Sequence, residues 1–129
     1  MKIKTSELIG PTLDWAVAKC EGKGIEFDDP RDPWLVVDGI ADQPLHSYSP
    51  STDWAQGGLR IEREEICLAK VGRTLDDAMA PHPECWCAHI DGGFTRYASA
   101  PLIAAMRCLV TSKLGNEIEI PEELCSPSS

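Results

Sequence analysis

The stretch that most constrains the fold is PLIAAMRCLVTSKLG, residues 101–115. Between Leu102 and Val110 its only charged residue is Arg107, so a helix here is apolar nearly all round and must be covered on more than one side. It should pack across a sheet, with other elements wrapped around it. Pro101 suits a first helical position, Ser99 offers a cap and Gly115 a C-terminal stop, which predicts a helix over 99–115. Arg107, largely removed from water, then needs partners that offset its desolvation, and Asp53, Glu62 and Glu64 are candidates. A structural Arg–carboxylate pair joining helix and neighbour competes with an Arg reserved for a phosphate or carboxylate ligand.

A chain of 129 residues can bury one core, and its 43% hydrophobic and 26% charged content is that of an ordinary globular domain. No apolar run approaches the ~18 residues of a membrane span. The N-terminal MKIKTSELIG has lysines but no apolar h-region, so no secretory signal is read and a cytoplasmic protein is expected. In that compartment the six cysteines are expected as thiols. Cys85, Cys87 and His89 would share one strand face, with His82 upstream, a set that a zinc ion could use. Same-face strand neighbours sit ~6.5–7 Å apart, too far for one tetrahedral ion without a bulge. Buried thiols are the preferred reading, and neither metal nor cofactor is expected.

The net charge is −9, and the acids cluster: residues 26–42 carry six against the single Arg31, and four glutamates follow Lys113 with no base. Binding to a nucleic-acid backbone needs clustered Lys and Arg and is not expected. An acidic surface can engage a basic partner, or simply be a solvated face.

In chain order, residues 2–5 can form a short edge strand and 6–22 a helix, firm from Pro11, with Leu13, Val17 and Cys20 on one face and Gly22 as its stop. Residues 23–45, rich in Asp, Pro and Gly, are expected as a long acidic loop, a candidate lid, with 34–37 apolar enough to dock on the core. A short helix capped by Gly58 and running to Glu65 precedes a strand at 66–71, and residues 76–80 can make a helical turn. Residues 85–90 and 94–98 read as a hairpin across Asp91, Gly92 and Gly93. Residues 116–120 read as a last strand and 121–129 as a flexible tail.

The candidate site is the stretch YSPSTDWAQGGLRIEREEI, residues 48–66. Tyr48 and Trp54 bring large amphipathic faces; Ser49, Ser51, Thr52 and Asp53 bring short acceptors that cap a helix or hold a turn. Gly57 and Gly58 permit positive φ or close approach and would end the turn or helix of 52–56. The stretch reads either as a pocket wall or as a tightly folded corner on the core.

The segments KTSELIGPTLDWAVAKCEG, YSPSTDWAQGGLRIEREEI and APLIAAMRCLVTSKLGNEIEIPEEL, in this order, resemble the NinX-like proteins of lambdoid and other enterobacterial phages, a family of unknown function related to the phage ABA-sandwich domains. Family members often have proline after the paired glycines, where this chain has Leu59. The resemblance implies a phage or prophage accessory protein of the bacterial cytoplasm, with an α+β fold in which a small antiparallel sheet lies between helices. Three functional classes follow. The first is a binder of a small, nucleotide-like molecule, such as a sponge that blunts host defence signalling, with Tyr48, Ser49, Ser51, Asp53, Trp54, Gly57, Gly58, Arg63 and Arg107 as ligand-binding residues and a second subunit as an optional completion. The second is an acidic module that binds a basic host or phage protein. The third is a hydrolase using Asp53, Glu62, Glu64 or His46, for which no specific motif is present.

Overall fold

The computed structural model describes residues 2–28, 31–70, 86–90, 95–121 and 124. The fold is α+β, with three α-helices and three small antiparallel sheets among these residues. The helices are α1 (Gly10–Cys20), α2 (Trp54–Glu64) and α3 (Pro101–Leu114). Strands β1 (Lys2–Lys4) and β8 (Glu117–Glu119) form one sheet. A second sheet has the order β2 (Gly24–Glu26), β3 (Trp34–Val37), β4 (Ile40–Pro44). The third has the order β5 (Ile66–Lys70), β6 (Trp86–Ile90), β7 (Thr95–Ala98).

Helix α3 is the axis that its composition demands. It lies against β5–β7, while α1 and α2 pack on it from other sides. Residues from Ala104 to Thr111 are buried without a break, so neither face is left to water. The helix begins at Pro101 with Ala100 as the N-cap, not Ser99, and it ends at Gly115, whose φ of 93° suits a residue without Cβ. Thr5 ties the N-terminus to this end: its hydroxyl bonds Thr111 Oγ1 at 2.9 Å and donates to the Gly115 carbonyl at 3.0 Å.

Four expectations need correction. Residues 23–45 are not a loop, because β2, β3 and β4 run through them and Leu35 is fully buried in the core. The β3–β4 connection is the Asp38–Gly39 pair, both at positive φ (54° and 78°), the geometry that a two-residue hairpin requires. Gly57 and Gly58 do not end a helix, nor does Gly58 begin one. Both lie inside α2, whose N-cap is Asp53, its carboxylate accepting from Ala55 N at 2.9 Å. Arg107 does not turn to the expected carboxylates; its guanidinium donates to the backbone carbonyls of Leu8 at 2.8 Å and Tyr97 at 2.9 Å. Helix α1 starts at Gly10, after a 3-10 turn at Thr5–Glu7 that takes up the first residues of the expected helix.

The antiparallel β6–β7 pairing bears out the expected hairpin strands. Its turn at 91–93, the helical turn at 76–80, and all of the tail beyond Pro121 except Leu124 lie outside the described residues.

Candidate functional site

Two neighbouring features meet at Tyr48, which is 2% exposed at the end of a 3-10 turn over Leu45–Ser47. The first is a polar cluster around Glu21, just past the end of α1. One oxygen of Glu21 accepts hydrogen bonds from the Tyr48 hydroxyl and from Arg60 Nη2 at 2.8 Å; the other accepts from Arg63 Nη2 at 2.9 Å. Arg60 also donates to the Tyr48 oxygen at 3.1 Å and to the Gln56 carbonyl at 2.7 Å. Its guanidinium carbon lies 5.1 Å from the Tyr48 ring centroid, and Lys23 Nζ lies 5.5 Å from it. Helix α2 presents Arg60 and Arg63 one turn apart on the same face, which lets both reach one carboxylate of α1.

Burial pushes the Glu21 carboxyl up, but hydrogen bonds from Arg60, Tyr48 and Arg63 outweigh it and hold the group below its usual 4.5. Burial and the bond to Glu21 push the Tyr48 phenol well above its ordinary range, so it remains a donor. The sign of the linkage follows from the depressed carboxyl. Glu21 contributes stability fully above its unfolded value of 4.5 and loses it as pH falls through the lower folded value. Glu21→Gln is therefore expected to be less stable than wild type at neutral pH, with the gap closing as pH falls below 4.5 and through the lower folded value. Urea midpoints across that range check it; a constant gap would mean that the carboxylate charge is not what stabilises the cluster.

The second feature is an open cleft of about 440 Å³ beside the start of α1. Pro11, Pro33, Leu45 and Leu124 give it apolar walls. Asp14, Arg31, Asp32, His46 and Tyr48 add polar groups. His46 Nε2 is 3.7 Å from Asp32 Oδ1. Asp14 is 6% exposed and accepts from Ser51 N at 2.9 Å. Burial raises its carboxyl above the usual 3.8, with Ser51 and Arg60 pulling the other way.

Of the nine residues expected to bind ligand, Tyr48 alone is among those that line this cleft. Ser51 stands behind it through Asp14, and Arg63 joins the Glu21 cluster. Ser49 and Asp53 hold the turn before α2: Gln56 Oε1 accepts from Ser49 N at 2.9 Å, and Gln56 Nε2 donates to Asp53 Oδ2 at 3.1 Å. Trp54 is 56% exposed on α2. Gly57 is buried between Pro50 and Leu102, whereas Gly58 faces open space. Arg107 bonds Leu8 and Tyr97. Glu64 bonds Arg63 at 3.0 Å and pairs with Lys113 at 3.4 Å.

For the zinc alternative, His82 and Cys85 lie outside the described residues. Cys87 and His89 share a face of β6, where His89 Nδ1 bonds Thr95 Oγ1 at 3.1 Å. Among the described residues no group of three His, Cys, Asp or Glu could hold a metal ion. Cys20, Cys67, Cys87 and Cys108 are not in disulfides, and burial pushes Cys20 up to about 12, which leaves it unreactive. No described helix is long and apolar enough to cross a membrane.

Sequence reasoning missed Asp14, Glu21, Arg31 and Arg60. A signal existed for the first: Asp14 is the only charge in the apolar run Leu13–Ala18, a pattern that marks a buried acid. Nothing local singles out Glu21 or Arg60, which meet across 39 residues of chain.

No curated protein matches the chain in sequence. Residues 4–113 match the family model described as bacteriophage P22, NinX. That match spans α1, α2 and nearly all of α3, and with them both the Glu21 cluster and most of the cleft, so the chain belongs to the bacteriophage P22 NinX family.

Proposed function

We propose that this phage accessory protein acts in the bacterial cytoplasm by binding a small, nucleotide-like ligand in the cleft beside α1, without catalysing a reaction. The observation that carries this reading is the cleft itself: about 440 Å³, within the range of small-molecule sites, with apolar walls and converging polar groups. Arg31 supplies a cation for a phosphate or carboxylate. Asp14, held by Ser51, offers a carboxyl to the edge of a base, and the prolines and leucines offer apolar contact to its faces. The Glu21 cluster fixes Tyr48 from behind, so the wall is preorganised. Sequestering a host signalling nucleotide is the use that fits a binder without a reaction. Hydrolysis is the weaker reading, because Asp53 caps α2 and Glu64 is held in ion pairs, which leaves His46 as the one residue considered for it that lines the cleft.

The test is to purify the protein from phage-infected bacteria, denature it and search the released fraction by mass spectrometry for a stoichiometric nucleotide, then titrate that compound back. Arg31→Ala and His46→Ala, both at exposed positions, are expected to weaken binding about tenfold or more. Trp54→Ala, outside the cleft lining, should bind as wild type. Absence of any released compound, together with no stabilisation by a panel of mono-, di- and cyclic nucleotides, would overturn the proposal.

A further inference from the structure

We infer that the outer face of the β2–β3–β4 sheet is a docking socket for a lysine or arginine side chain of a basic partner protein, received between the Trp34 indole and the carboxylates of Glu26, Asp28 and Asp32. The register builds the socket. Glu26 pairs with Trp34, and Val36 pairs with both Gly24 and Ala41, so Glu26, Trp34 and Ala41 point to one side of the sheet. Leu35 and Ile25 point to the other side, where Leu35 is buried and Ile25 packs on the core. The outer side is left with an indole 39% exposed and an open concavity of about 310 Å³ lined by Glu26, Asp28, Asp32, Trp34 and Ala41.

An indole in a concavity ringed by carboxylates selects for a particular shape and charge. The aromatic face attracts a cation and also accepts the alkyl stem behind it, while the carboxylates take hydrogen bonds from its head. Acids alone would only gather diffuse counterions. Charge complementarity identifies the occupant as a segment of basic protein. The chain carries −9 overall, and residues 26–42 hold six acids against Arg31. Lys23 is spent on Asp42, at 2.6 Å, away from the socket lining. The same field repels nucleic-acid backbones and anionic membrane surfaces.

The socket is separate from the cleft proposed for the small ligand, apart from Asp32, which lines both. Its variants are therefore made at Trp34, Glu26 and Asp28. The experiment is a heteronuclear NMR titration of the full chain with acetyl-Gly-Arg-Gly-amide, with the same peptide carrying citrulline as the uncharged control. The Trp34 indole N–H signal is assigned by its loss in Trp34→Phe. A saturable shift of that signal is expected with arginine and not with citrulline. Trp34→Ala is expected to weaken binding about three- to tenfold. The double variant Glu26→Gln, Asp28→Asn changes only exposed side chains, so it keeps the fold and should weaken binding comparably. Equal response to citrulline, unsaturable shifts spread evenly over the acidic surface, or wild-type affinity in both variants would each overturn the inference.

Discussion

Gly57→Ala is expected to destabilise the protein by about 2–3 kcal/mol and to lower its Tm by roughly 6–12 °C. Helix propensity alone argues the opposite, since alanine inside a helix is favoured over glycine by about 1 kcal/mol. The reversal comes from packing. A Cβ at Gly57 would sit on the Pro50 carbonyl oxygen and 2.5 Å from Leu102 Cδ2. The first is backbone of the turn that holds Ser49 and Ser51 and does not yield without moving α2; the second is the end of the buried Leu102 side chain, which would have to repack. Gly58→Ala is the internal control. Nothing lies within 4 Å of a Cβ there, and the substitution is expected to stabilise by roughly 0.5–1 kcal/mol. Thermal and urea melts of the two variants check both signs. If Gly57→Ala melted with Gly58→Ala above wild type, the close contact between α2 and α3 would be refuted.

Arg107→Met should cost roughly 3–5 kcal/mol. Methionine restores most of the apolar stem but none of the donors. The carbonyls of Leu8, 99 residues away in the chain, and of Tyr97 would lose the guanidinium bonds that they accept at 2.8 and 2.9 Å. A buried acceptor left unpaired, as at Leu8, costs about 1–3 kcal/mol, and the half-buried bond to Tyr97 and the lost packing of the rest of the stem add to it. Arg107→Lys should recover only part of the loss, because an ammonium on a flexible stem does not present the planar fork that reaches both carbonyls. The pair of measurements, urea midpoints and affinity for the ligand proposed for the cleft, separates two roles. A structural tie lowers stability and leaves cleft affinity unchanged in the folded fraction; a ligand-holding arginine would do the reverse.

How far the sequence was legible depended on whether a signal was local. The all-round apolar run of α3, the Pro101 start and the Gly115 stop are properties of consecutive residues, and the structure reproduces the helix nearly to its ends. The β6 and β7 strands were legible for the same reason. The Asp38–Gly39 turn was equally local, a hairpin dipeptide between Val37 and Ile40. It was hidden by the prolines and aspartates around it, which read as loop when composition is weighed ahead of turn chemistry. The candidate site was legible in part. Tyr48 was singled out and does line the cleft, but the aspartate, arginine and histidine that share it come from α1, the turn before β3 and the turn after β4.

By itself, then, the sequence determined that one helix had to be enclosed, that short antiparallel strands would help enclose it, that the surface would be acidic, and that the chain is kin to a phage family. Periodicity, turn chemistry and charge are written in neighbouring residues. Tertiary structure alone decided what each special residue is for. A glycine pair has the same signature whether it ends a helix or lets two helices touch, and only the position of Leu102 against Gly57 distinguishes these. A buried arginine needs acceptors, but carbonyls satisfy it as carboxylates do, and sequence does not say which will be near. Glu21, Tyr48 and Arg60 form one cluster because α1 and α2 both pack on α3, and that proximity is set by the enclosed helix rather than by any of the three residues.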